Sequence, residues 1–254
     1  MTERQIEICT DANALATRAA ALIVEAARDA IVHRSRFLFV LSGGSTPEMT
    51  YRLLAEPGRR AAIEWTKTFV FFGDERFVAP EDPASNFGMA RRALLSKAPI
   101  PPAQVLAVPT AEQSAPAAAA AYSRELGQVF HQPPDSLPMP RFDLVLLGLG
   151  DDGHTASLFP GKPALKVQDR WMTASPPGVL PPPVERITMT LPILNAARQV
   201  VFLVAGEKKA SVVKEILEET PALEKYPAAG IAPVAGTLTW LLDRAAASRL
   251  RQSH

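Results

Sequence analysis

The chain has 254 residues, 47% of them hydrophobic and 21% charged, with a formal net charge of +1 at pH 7. That length suits one large α/β domain, read here over residues 1–254, and near-neutrality offers no long-range field to draw nucleic acid or a membrane surface. Cys9 is the only cysteine, which excludes an internal disulfide or a cysteine-based metal site and fits a reducing compartment.

The start, MTERQIEI, lacks the basic-then-apolar layout of a signal sequence, and no apolar run approaches the ~20 residues of a membrane span, so a cytoplasmic location is expected. Residues 11–33 carry apolar positions at helical spacing, with Thr10 or Asp11 to cap the start and His33 in the last turn, where a positive charge is favourable. FLFVL, residues 37–41, reads as a buried strand and runs straight into SGGSTP. There Gly43 and Gly44 let the backbone approach a ligand, Thr46 sits where an N-cap belongs and Pro47 fits the first helical position. The free N–H groups of such a helix start suit a phosphate; a well-capped β-to-α turn that binds nothing has the same look.

The next strand, TFVFF at 68–72, ends in Gly73-Asp74-Glu75-Arg76, either a solvated charged turn or part of a site. Ser85 then leads a helix, SNFGMARRALL, and residues 115–130 form another. Residues 104–108 are a weak strand candidate. The proline-rich stretch at 133–140, with His131 exposed at its edge, is a surface connection into FDLVLLGLGDDGHTASLFPG. Its first six residues, 142–147, read as a buried strand, and the loop behind them packs Asp151, Asp152 and His154 together before Pro160 and Gly161. A histidine beside carboxylates at a strand's carboxyl end suits a general base with its own orienting group. Further strands are expected at 171–175, 185–190 and 200–205, separated by a rigid proline loop at 176–183. The strand at 200–205 opens on Gly206-Glu207-Lys208-Lys209 and a helix at 210–219; a last helix is expected at 238–251, with a frayed tail that includes His254.

Short apolar strands alternating with helical stretches predict a single doubly wound, mostly parallel sheet with helices on both faces. In such folds ligands bind beyond the carboxyl ends of the strands. SGGST, GDER, GLGDDGH and GEKK all follow apolar strands, so they should share one rim, around a small phosphorylated molecule undergoing acid–base chemistry. GLGDDG has the G-x-G-x-x-G spacing, but its two aspartates would face a pyrophosphate and Pro160 leaves no long helix behind it. No G-x-S-x-G elbow, no G-K-[ST] loop and no histidine cluster for zinc occurs.

SGGSTP, FFGDERFV with SNFGMARRAL, FDLVLLGLGDDGHTASLFPG, ERITMTLP, VVFLVAGEKKA and, less specifically, PVAGTLTWLLDRAA resemble, in order, the motifs of the 6-phosphogluconolactonase family. The resemblance implies hydrolysis of 6-phospho-D-glucono-1,5-lactone in the oxidative pentose phosphate pathway without a required cofactor; no dedicated metal site is expected, while an incidental ion at His154 and its carboxylates stays open. It implies His154 as general base, Asp152 and Asp74 as nearby acidic groups, and Arg76, Arg186 and Lys209 as substrate- and phosphate-binding residues; the helix-opening loop of Ser42, Gly43, Gly44, Ser45 and Thr46 is expected to hold the phosphate with them. In GEKKA, Lys209 and not Lys208 falls three residues after Gly206. The expected partner is a phosphorylated sugar lactone, without nucleic acid or membrane, and the chain a monomer or small homo-oligomer. The related glucosamine-6-phosphate deaminases share the glycine loop, the Gly-Asp-Glu turn and a D-G-H segment. They typically carry a tyrosine and an acidic residue where this chain has Arg76 and Leu158-Phe159. A deaminase or isomerase, or a non-catalytic sugar-phosphate module, is the alternative reading.

Overall fold

The structure is a computed structural model that describes residues 4–178, 183–219 and 221–251. Six strands form a wholly parallel sheet: β1 (Arg4–Cys9), β2 (Phe37–Leu41), β3 (Thr68–Phe72), β5 (Leu144–Leu147), β8 (Gln199–Val204) and β9 (Thr237–Asp243), in the order β1-β9-β8-β5-β2-β3. The run from β2 to β3 moves one way across the sheet and the run from β5 through β8 to β9 moves the other. The direction of winding therefore reverses between β2 and β5, which is where an open α/β sheet leaves a crevice at its carboxyl edge.

Three short strands make a second, antiparallel sheet in the order β4-β7-β6: β4 (Asp74–Arg76), β7 (Arg186–Met189) and β6 (Met172–Ser175). Gly73 is the joint between the sheets, donating from its N–H to the Leu41 carbonyl and accepting at its own carbonyl from Met189 N–H. The GDER segment is thus a strand and not a solvated turn: pairing with β7 satisfies its backbone, and Glu75 is only 2% exposed.

The helices are α1 (Ala12–Arg34), α2 (Ser45–Leu54), α3 (Pro57–Ala61), α4 (Asn86–Ala90), α5 (Ala115–Phe130), α6 (Leu191–Asn195) and α7 (Ala210–Glu218). Asp11 caps α1, accepting from the N–H groups of Asn13 and Ala14, and the alanine-rich inner stripe lets α1 pack closely over β1, β2, β8 and β9. His33 lies in the last turn as expected and contacts Asp29. Helix α5 packs on β6 and β7, and its exposed His131 forms the left-handed C-cap. Helix α2 begins two residues earlier than its sequence suggests. Gly44 is the N-cap and Ser45 the first helical residue, so Pro47 stands third, where the missing N–H still has no intrahelical partner to lose.

Two expectations fail. Residues 104–108 make only a single bridge, Val70 to Val105, and no ladder. The final helix is instead β9 followed by turns. TLTWLLD is an apolar run rich in β-favouring residues, paired on its two edges by β8 and β1 and buried without alternation at residues 240–243, a setting in which helical and strand patterns look alike. The edge strand β1 was not anticipated. Of the proline loop expected at 176–183, residues 179–182 lie outside the described residues, as does His254. No described helix is long and apolar enough to cross a membrane.

Candidate active site

The loops after β2, β5 and β8, with β4 beside them, close on one cavity of about 270 Å³. Its wall includes residues 42–47, Asp74, Arg76, Asn86, residues 148–150, His154 and Lys209. Of the residues picked from sequence, the structure brings Ser42, Gly43, Gly44, Ser45, Thr46, Asp74, Arg76, His154 and Lys209 to this wall; Asp152 and Arg186 stand directly behind it.

His154 Nδ1 lies 2.6 Å from Asp152 Oδ1, and the His154 backbone N–H donates to the same oxygen at 3.1 Å. The carboxylate therefore fixes ring orientation and selects the tautomer with Nδ1 protonated, which leaves Nε2 as the basic nitrogen. Burial pushes the Asp152 carboxyl up, but the hydrogen bond and charge of His154 outweigh it and hold the group below the usual aspartate range. Gly150 makes room for the pair, since a Cβ there would lie 2.0 Å from His154 Nδ1 and 2.6 Å from Asp152 Oδ1. Phe159 packs against the imidazole at 4.8 Å between ring centroids.

Asp74 accepts from Ser157 Oγ at 2.6 Å and from Asn86 Nδ2 at 3.4 Å, which ties β4 to the histidine loop. Asn86, a residue to which the sequence pattern assigns only a place in a helix, is the hub on this side. Its amide nitrogen donates to the Asp74 carbonyl at 2.9 Å and its amide oxygen accepts from Arg76 Nη1. Gly43 touches it so closely that a Cβ would fall 2.0 Å from Asn86 Oδ1. The signal for Asn86 was available in the capping residue Ser85, which fixes the helix start and so aims the next side chain at the cavity. Glu75 braces the same corner, accepting backbone N–H bonds from Arg76, Asn86 and Phe87 at 2.7–2.8 Å.

Positive charge converges on the remaining wall. Arg76 pairs in register with Arg186 across β4 and β7, and Arg76 Nε is buried with no hydrogen-bond partner among the described residues. Burial, then the neighbouring Arg76, lowers the Arg186 pKa, against the pull of Asp74 and Glu75. Lys209 reaches the cavity and pairs with Asp151, while Lys208 is exposed. Two hydrogen bonds from the Gly206 N–H to the Asp243 carboxylate, both 3.1 Å, anchor the loop that carries Lys209. On the opposite wall Tyr51 Oη accepts from Ser42 N–H and donates to the Ser42 carbonyl, both at 2.9 Å, fixing the glycine loop where α2 opens. The first-turn N–H groups of α2 thus face the cavity without intrahelical partners. No group of three His, Cys, Asp or Glu among the described residues is arranged to hold a metal ion.

Such a site suits an anionic substrate that undergoes proton transfer. A model of the glucosamine-6-phosphate isomerase/6-phosphogluconolactonase family matches residues 10–240. The chain belongs to this family. Among its members, the 6-phosphogluconolactonase of Synechocystis is 42% identical over 97% of this chain and 98% of its own length. The rat enzyme of that name is 45% identical over 86% of this chain and 82% of its own. The solved structure of 6-phosphogluconolactonase from Trypanosoma cruzi superposes with a TM-score of 0.88 at 32% identity, covering 99% of both chains. The family's doubly wound parallel sheet is therefore this chain's sheet, with the small antiparallel sheet as an addition that sequence patterning did not reveal.

Proposed function

We propose that the chain is a 6-phosphogluconolactonase that hydrolyses 6-phospho-D-glucono-1,5-lactone to 6-phosphogluconate in the cytoplasm, residues 1–254 acting as one domain. The observation that carries this reading is the His154–Asp152 pair, at 2.6 Å, on the wall of the same cavity as the glycine loop and Lys209. A lactone is an activated ester, so a positioned water and a base are enough, and no covalent intermediate is needed.

In the proposed mechanism the phosphate sits against the Ser42–Thr46 loop and Lys209, with Arg186 adding field from behind Arg76. Those remote contacts fix C1 near His154. Nε2 of His154 takes a proton as water oxygen bonds to C1, giving a tetrahedral oxyanion for which Arg76 and backbone N–H groups are the nearby donors. The C1–ring-oxygen bond then breaks and His154 returns the proton to the departing oxygen, leaving a hydroxy acid that ionises. Asp152 holds the imidazole and stabilises its protonated form. Asp74 holds Ser157 and Asn86 in place rather than exchanging protons.

The test is acid release in a pH-stat from freshly made 6-phosphogluconolactone, expected well above the spontaneous rate. Ammonia release from glucosamine 6-phosphate with no lactone hydrolysis would instead favour the deaminase reading.

A further inference from the structure

A second cavity, of about 500 Å³, lies at the other end of the sheet. It opens beside Leu38, near the start of β2, Asp143, just before β5, and Arg198, just before β8, whereas the candidate active site follows the carboxyl ends of the same parallel strands. Arg34, Arg36, Arg141 and Arg198 all line it, and Asp143 is the single carboxylate on its wall. Asp29, paired with Arg34 outside the cavity, still leaves an excess of two positive charges.

What distinguishes the cluster from solvated surface arginines is how each is held. Asp143 is committed: Oδ1 accepts from Arg34 Nε at 2.7 Å and Oδ2 from the Leu38 N–H at 2.8 Å. Arg141 is fixed by the carbonyls of Ala196 and Ala235, at 3.0 and 2.7 Å, and Arg36 by that of Val129 at 3.3 Å. Carbonyl contacts fix a guanidinium without cancelling its charge. Arg198 Nε forms a loose ion pair with Asp143 Oδ1 at 3.5 Å, and the atom is buried with no hydrogen-bond partner among the described residues. Burial, followed by repulsion from Arg141 and Arg34, lowers the Arg198 pKa against the pull of Asp143 and Asp29.

We propose that this cavity is a second anion site, taking the phosphate group of a small soluble molecule, separate from the candidate active site. Several guanidinium forks around one point match a multiply charged tetrahedral oxyanion better than a lone carboxylate. The volume suits a small ligand, and the half-buried Phe130 and Met139 on the wall offer an apolar surface for its organic part.

Pyrophosphate is the probe, followed by calorimetric titration of the full chain. A Lys209→Ala background weakens phosphate contact in the candidate active site, so binding that persists there reports on the arginine cavity. In that background saturable binding is expected, and Arg36→Gln or Arg198→Gln should weaken it about tenfold or more, since hydrogen bonds to charged groups carry that magnitude. Arg36→Gln, made in the otherwise native chain, should leave lactone hydrolysis unchanged. It keeps the test valid if Arg198→Gln fails to fold, because the contact it removes is the Val129 carbonyl. Absence of saturable binding, or binding that both arginine variants leave intact, overturns the proposal. Arginine-dependent sedimentation with vesicles bearing a phosphoinositide, without pyrophosphate binding, would overturn the soluble ligand in favour of a lipid headgroup.

Discussion

An imidazole serves as a base when one nitrogen is committed to a partner and the other faces the reactant, and in His154 the partner is two residues away in sequence. Asn in place of His154 keeps the polar shape and loses the base. His154→Asn should therefore lower kcat by roughly two to four orders of magnitude with an unchanged melting temperature, and a near-normal kcat would remove His154 from the mechanism. Lys209 has a different task, holding phosphate before and during reaction, so Lys209→Ala should raise KM about tenfold with kcat nearly kept. Steady-state kinetics on both variants separates the roles. Asp152 adds a pH dependence. Its folded carboxyl titrates below the usual range, so its contribution to stability is complete above the unfolded value of about 3.9 and is lost as pH falls through the folded value. The stability difference between the native chain and Asp152→Asn, from urea titrations, should shrink below about pH 4; a difference that grows there would reverse the sign.

At the scale of elements, the loops that sequence exposed were those in which an apolar strand stops at glycine: SGGST after β2, GLGDDGH after β5, GEKK after β8. Period and punctuation are local, so they survive without a structure. GDER was harder because three successive charges look solvated, and only long-range pairing of β4 with β7 buries Glu75. That burial makes the corner sensitive to chemistry rather than size. Both carboxylate oxygens of Glu75 accept backbone N–H groups, and an amide would turn an NH₂ toward at least one of them. Glu75→Gln should cost about 1–3 kcal/mol in a urea titration. It should also lower activity, because Asn86 and Arg76 take their positions from the same bonds. Full stability in the variant would show that the corner tolerates a donor there.

Across the whole molecule the site exists because the winding direction reverses between β2 and β5, which the strand order of the folded sheet shows; the sequence revealed only that apolar strands alternate with helices and end in candidate ligand loops. It hid the carboxyl-terminal contribution, since an apolar TLTWLLD has no period that separates strand from helix. Placing it as β9 beside β8 brings Asp243 under the Gly206 N–H, so a residue remote in sequence steadies the loop that presents Lys209. The Ala246 N–H donates to the same carboxylate at 2.7 Å, so one side chain closes both the lysine loop and the turn that follows β9. Asp243→Ala should raise KM several-fold through a loosened Lys209 while kcat stays within about twofold, the signature of a positioning residue rather than a proton-transfer group. Asn at the same position keeps one oxygen acceptor for Gly206, so Asp243→Asn should recover most of the KM. If both variants lose melting temperature with KM untouched, Asp243 holds only the terminal turn, and Lys209 is positioned by its own pairing with Asp151.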